Sequence, residues 1–204
     1  AEHESRIDRL AISQDGQWLA SAGADQTARL WNTSDWTVHH TWAARSRPGR
    51  VLSVAFSPDA RLLAIGDING RIWLSEVDTG AHSVTQTTDG IVDLVFNANG
   101  TQLFACDRGG CVLKWTVSAL PGDEVRLHPL EIRGWQADAS RVQAIALDEA
   151  RNRVITGSRG TRLAAWTLNR QSPVATFSES RLATFYGNDM VVTGTYALTL
   201  WDVR

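Results

Sequence analysis

The sequence predicts an all-β protein built from repeated small antiparallel sheets, and three observations lead there. The 204-residue chain aligns with itself as five copies of one pattern, with first apolar positions at Ile7, Val51, Ile91, Val142 and Leu182, steps of 44, 40, 51 and 40 residues. Each copy holds short runs rich in Val, Ile, Leu, Phe and Trp separated by turn formers, which is how strands and hairpins read. The runs are too short for helices, and no apolar spacing of three and four persists.

Copy one opens with "RIDRLAISQDGQWLASAG", turns at Gln14-Asp15-Gly16 and continues into "TARLWN". Copy two opens with "RVLSVAFSPDARLLAIGD", turns at Ser57-Pro58-Asp59 and continues into "GRIWLSE". Copy three, "GIVDLVFNANGTQLFACD", turns at Ala98-Asn99-Gly100 and runs on to "CVLKWT". Copy four is "RVQAIALDEARNRVITGS" with "RLAAWT", and copy five the shortened "RLATFYGNDMVVTGT" with "LTLWDV". Stretches such as "VLSVAF" and "RLLAIG" are apolar almost throughout, which suits strands covered on both faces. The longest departure from the period is 117–140, where Pro121-Gly122 marks a loop and "RLHPLEIRGW" reads as the outer strand of copy three. Pro129 suits an edge position, where a missing N–H costs nothing. No linker or second domain is visible.

Composition removes several function classes. A net charge of −2 gives no general attraction to nucleic acid or anionic membrane. No apolar run approaches the ~20 residues of a spanning helix, and "AEHESRIDRL" has no apolar core of a secretory signal. Cys106 and Cys111 form no metal pattern or disulfide framework; the expectation is a reduced pair set opposite each other on a hairpin, in a cytoplasmic protein. Nine tryptophans, and 19 Arg against the single Lys114, stand out. Codon bias accounts for the second; the functional account is that Arg forks suit carboxylates and phosphates.

Four strands per copy with a period near 40 resemble the WD-repeat family of β-propellers, in the degenerate form of bacterial members. The literal dipeptide occurs at Trp201-Asp202, and copies one, three and four keep the tryptophan as Trp31, Trp115 and Trp166. In copy two, one register puts Ser75 at that place and the other picks Trp73. The resemblance implies blades at approximately 3–43, 44–87, 88–136, 137–177 and 178–204, the last without its outer strand. It also implies that the chain is the C-terminal part of a larger, seven-bladed propeller, with a self-contained five-bladed ring as the alternative.

In this family a hydrogen-bonded quartet often ties a blade together, and His3, Ser21, Asp25 and Trp31 occupy its places. The resemblance implies that the indole donates to Ser21, Ser21 to the imidazole, and the imidazole to Asp25. Ser, His and Asp are also a hydrolase's ingredients, but a trio that satisfies an indole reads as structural, since catalysis also demands a cleft and an oxyanion site. Other copies replace the histidine with Arg47, Thr87, Asp138 and Ser178.

No catalytic motif, metal spacing or cofactor signature is present. The expected function is a non-catalytic protein-interaction scaffold or sensor module, and the resemblance to bacterial members implies coupling to a signalling effector in the same polypeptide. Its partner would be another protein or another domain, including an acidic or phosphorylated segment, without membrane or nucleic acid. By repeat position one rim of the disc carries Arg45, Arg47, Arg50, Arg108, Trp135, Arg141, Arg159 and Arg162, and the other is acid-rich. An Arg-rich rim would grip an acidic segment with Trp135 as anchor; solvated surface is the plainer account. Two alternatives stay open: a hydrolase or lyase using the channel, and a phosphate or nucleic-acid binder using the rim. The innermost strands show Leu10, Ile12, Val54, Phe56, Leu94, Phe96, Ile145 and Leu147 rather than inward acids.

Overall fold

The computed structural model describes residues 2–44, 49–118, 126–129, 135–136, 142–149, 152–158, 162–167, 173–178, 182–186, 190–194 and 198–202, with side chains after residue 118 described only at 142–149, 152–157 and 167. Each repeat folds as an antiparallel meander. The first sheet is β1 (Ile7–Ile12), β2 (Trp18–Gly23), β3 (Thr27–Asn32) and β4 (Val38–Ala43), in that order. The second is β5 (Val51–Phe56), β6 (Leu62–Asp67), β7 (Arg71–Glu76) and β8 (His82–Gln86). In the third, β9 (Ile91–Phe96), β10 (Gln102–Asp107) and β11 (Cys111–Ser118) are followed by two short strands that both pair with β11, β12 (Arg126–Pro129) and β13 (Trp135–Gln136). The outer strand expected across "RLHPLEIRGW" is thus broken in two, and Pro129, which cannot donate to the ladder, ends the first piece. The fourth sheet is β14 (Val142–Asp148), β15 (Arg153–Ser158), β16 (Arg162–Thr167) and β17 (Pro173–Ser178), and a three-stranded one follows, β18 (Leu182–Tyr186), β19 (Met190–Gly194) and β20 (Leu198–Asp202). The described residues contain no helix, and no helix among them is long and apolar enough to cross a membrane.

First strands pack on first strands: β1 on β5, β5 on β9, β9 on β14 and β14 on β18. The sheets therefore stand face to face with their first strands innermost, as propeller blades do. Between the first two sheets, small residues of one face (Ala20, Ala22, Ala28) and Leu30 and Trp42 cover Val54, Leu63 and Ile65 of the next. Leu62, Ala64, Ile72 and Leu74 cover Ile91, Leu94, Phe96 and Leu103 in the same way. Leu30, Leu63, Ile65, Ile72 and Leu103 are fully buried, each stabilising by about 1.5–3 kcal/mol relative to exposure. Leu10 and Ile12 differ from their expected inward role: they are 55% and 65% exposed, on the face of the first sheet opposite to the one that meets the second.

Turn chemistry recurs in register. Ser13 donates to Asp15 and accepts from the Trp18 N–H, and Ser57 does the same with Asp59 and Leu62. Between second and third strands, Gln26, Gly70 and Gly110 each have positive φ and donate back to Gly23, Asp67 and Asp107. These turns decide the register of copy two: Ser75 pairs with Leu63 as Trp31 pairs with Leu19 and Trp115 with Leu103. Ser75 is the counterpart of the repeat tryptophans, and Trp73 sits two residues nearer the turn, opposite Ile65. The cysteine expectation is also corrected. Cys106 pairs with Val112, so Cys111 is one step out of register and, with alternate side chains on opposite faces, cannot oppose it; both thiols are free.

Candidate functional site

Every described first strand except β18 carries a bulge near its start, at Asp8, Leu52, Val92 and Gln143. The bulge re-aims the flanking side chains, a common device near functional positions. In the first sheet it frees Asp8, which accepts from Arg6 and, through both carboxylate oxygens, from Arg50 at 2.7 Å. Burial alone would raise the Asp8 pKa, but these two guanidiniums hold it below the ordinary value.

The His3–Ser21–Asp25–Trp31 side chains lie together on the open face of the first sheet. Trp31 Nε1 donates to Ser21 Oγ at 2.8 Å, and Ser21 Oγ lies 2.6 Å from His3 Nε2. His3 Nδ1 lies 2.8 Å from Asp25 Oδ2. A carboxylate only accepts, so Nδ1 carries the proton and Nε2 accepts from Ser21. Asp25 also takes hydrogen bonds from Thr27 Oγ1, the Thr27 N–H and the Glu4 N–H. Burial would raise its pKa; Thr27, His3 and the two backbone amides outweigh it and lower the value to about 2. Gly23 leaves room for this contact, since a Cβ there would fall 2.6 Å from both Asp25 Oδ1 and His3 Nδ1. The Ser21 hydroxyl gives its proton to His3 and accepts from the Trp31 indole in a residue 1% exposed, so burial keeps it out of reach of a substrate. Beside it, Arg29 Nη2 is 3.7 Å from Asp25 Oδ2, while its Nε and Nη1 are buried without a hydrogen-bond partner among the described residues.

The second and third sheets replace this network with a different aspartate. Asp67 accepts from the Asn69 and Arg71 N–H groups, and Asp107 from the Cys111 N–H, each bracing its own turn. Thr87, at the histidine place of the third sheet, donates to backbone carbonyls instead.

Of the arginine rim, Arg45, Arg47, Arg141 and Arg159 lie outside the described residues, and Trp135 and Arg162 are described by backbone alone. Arg50 is engaged by Asp8 rather than turned to a ligand. Arg108 is half-buried with its Cδ against Gly90. Of the repeat tryptophans, Trp115 is buried, and the side chains of Trp166 and Trp201 lie outside the description.

An inner-strand ion pair escaped the sequence reading. Arg9 of β1 reaches Asp93 of β9 at 2.5 Å, passing the second sheet, and the other Asp93 oxygen accepts the Ile145 N–H of β14. Burial pushes the Asp93 carboxyl up, against the pull of Arg9 and the amides. The available signal was a charged residue directly after the bulge position in copies one and three. The described residues contain no group of three His, Cys, Asp or Glu arranged for a metal.

The model of the WD domain, G-beta repeat, matches residues 1–32 and 36–74. The chain is 31% identical over 125 residues to human apoptotic protease-activating factor 1, covering 56% of this chain and 10% of that protein. It is 29% identical over 141 residues to the Schizosaccharomyces pombe target of rapamycin complex subunit wat1, covering 63% and 43%. Over 125 residues it is 28% identical to Bos taurus transducin beta-like protein 3, covering 59% and 15%. The chain thus spans less than half the length of each of these relatives.

Proposed function

We propose that this chain, whose residues 1–32 and 36–74 match the WD domain, G-beta repeat, serves as a non-catalytic protein-interaction module, a stiff stack of sheets whose rim turns engage another protein or domain in the cytoplasm. The observation that carries this reading is the state of the Ser–His–Asp constellation among the described residues: its hydroxyl is engaged by Trp31 and His3 inside the sheet. Similarity to a subunit of a target of rapamycin complex supports assembly with other proteins. The finer reading is a sensing module that reports to a signalling effector, and similarity to a protease-activating factor supports it. The acid-gripping arginine rim belongs to the same proposal for Arg45, Arg47, Arg108, Trp135, Arg141, Arg159 and Arg162. Arg50 is its weakest member because Asp8 already neutralises it.

Two measurements test the reading. Affinity capture from the native host should recover a stoichiometric protein partner that Arg47→Glu with Arg159→Glu releases. Ester, amide and phosphoester substrates should show no turnover that Ser21→Ala removes; such turnover would refute the non-catalytic assignment.

A further inference from the structure

The outer strand of the first sheet breaks its register at a pair of histidines. Leu30 of β3 pairs with His40 of β4 and Trp31 with Val38, so His39 is the extra residue of a bulge. The outer strand of the second sheet pairs without such a break. In a regular strand consecutive side chains point to opposite faces; a bulge re-aims one of them, and both imidazoles here reach the same atom. His39 Nε2 and His40 Nε2 each lie 3.3 Å from the carbonyl oxygen of Asp78, in the turn between β7 and β8 of the second sheet. The two ring centroids are 4.2 Å apart.

Neighbouring groups hold the rings in place. Trp18 packs on His39 at 4.8 Å and Trp42 on His40 at 5.6 Å. Gly80 leaves the space that His40 occupies, since a Cβ there would fall 3.0 Å from two ring atoms. The Asp78 carbonyl accepts no backbone N–H among the described residues. Its spacing from the rings sets the cluster apart from an ordinary pair of hydrogen bonds. N–H···O bonds centre on about 2.9–3.0 Å, whereas donor atoms around a tetrahedral zinc ion, with bonds of about 2.0–2.2 Å, stand about 3.3 Å apart. Ligands at right angles around a square-planar or octahedral ion with the same bonds would stand only about 2.9 Å apart.

We propose that His39 Nε2, His40 Nε2 and Asp78 O bind one Zn2+, with water in the fourth position. Each imidazole ligates as the neutral ring with its proton on Nδ1. The third donor is backbone, so the site needs no third His, Cys, Asp or Glu, and none joins the pair among the described residues. The histidines belong to the first sheet and the carbonyl to the second, so the ion clips adjacent sheets at their outer edge.

The test is calorimetric titration of ZnCl2 into the chelator-treated, reduced whole chain, with thermal melts alongside. The native chain should bind one Zn2+, and its melting temperature should rise by about 3–6 °C when free zinc exceeds the dissociation constant about tenfold. Mg2+ should do neither. His39→Gln and His40→Gln should each weaken binding at least about tenfold, and the two together should abolish it. His82→Gln, which removes a neighbouring imidazole bonded to Gly80 O at 3.1 Å, should bind as the native chain does. Co2+ on the native chain should give the strong visible bands of a tetrahedral ion without a near-ultraviolet thiolate band. No zinc binding by the native chain, an equal loss in His82→Gln, or undiminished binding by the double histidine variant overturns the site. A thiolate band also overturns it, because the ion would then sit on a cysteine.

Discussion

Removing the Ser21 hydroxyl is the sharpest test of what the buried network contributes. Ser21→Ala leaves the Trp31 indole N–H without its 2.8 Å acceptor and His3 Nε2 without its 2.6 Å donor. The His3 and Asp25 side chains are 3% and 5% exposed, so water cannot readily substitute. Each orphaned buried group costs about 1–3 kcal/mol, and two of them predict a loss of about 2–6 kcal/mol for Ser21→Ala. Trp31→Phe in the Ser21→Ala background removes one of the orphans, so the pair of changes should cost less than the sum of the singles by about 1 kcal/mol or more. Equilibrium urea unfolding followed by far-UV circular dichroism measures all four corners of the cycle, with the indole-deleted variants compared on that same signal. A Ser21→Ala loss below about 0.5 kcal/mol, or strict additivity, would refute the argument; the hydroxyl would then be a bystander and its availability for chemistry would have to be reopened.

The remaining predictions follow from the same geometry. Asp25, lowered from 3.8 to about 2 in the folded chain, contributes stability that is present above the unfolded value and lost as pH falls from about 4 to 2; the loss is about 2 kcal/mol, and Asp25→Asn should flatten that limb of the stability-against-pH curve. Gly23→Ala should destabilise by several kcal/mol, on the order of a core disruption, since its Cβ would collide with His3 and Asp25; thermal melts check it. Asp93→Ala should cost about 3–5 kcal/mol by stranding the Arg9 guanidinium, whereas Arg9→Met with Asp93→Leu should cost much less, as paired urea curves would reveal. Leu63→Ala, at a fully buried position, should cost about 2–5 kcal/mol, and Leu10→Ala, at a mostly exposed one, well under 1 kcal/mol.

Much of the architecture was legible because it depends on local pattern. Turns such as Ser13–Gly16 and Ser57–Ala60 announce themselves by residue type, and the apolar runs between them can only be short strands. The quartet was legible for the same reason, as four residue types at fixed steps. What escaped reading depends on backbone detail or on distance between sheets. A bulge changes which residue faces inward without changing composition, so Arg9 and Asp93 looked like ordinary surface charges. Arg50 looked free because its partner Asp8 sits 42 residues earlier on a neighbouring sheet. The "DINGRIW" and "EVDTG" stretches favour Trp73 and Ser75 respectively as the repeat position; the pairing of Ser75 with Leu63 across the strands decides for Ser75.

Stacked repeats ordinarily resemble a row of dominoes, each piece leaning only on the next. The contact between Arg9 and Asp93 skips a piece, and Asp93 in turn grips the Ile145 amide on the piece beyond. Loosening the first sheet therefore tugs directly at the third and, through one carboxylate, at the fourth. A perturbation at one end of the row is thereby felt three pieces away without having to pass through the alanine-lined seam between the first two sheets.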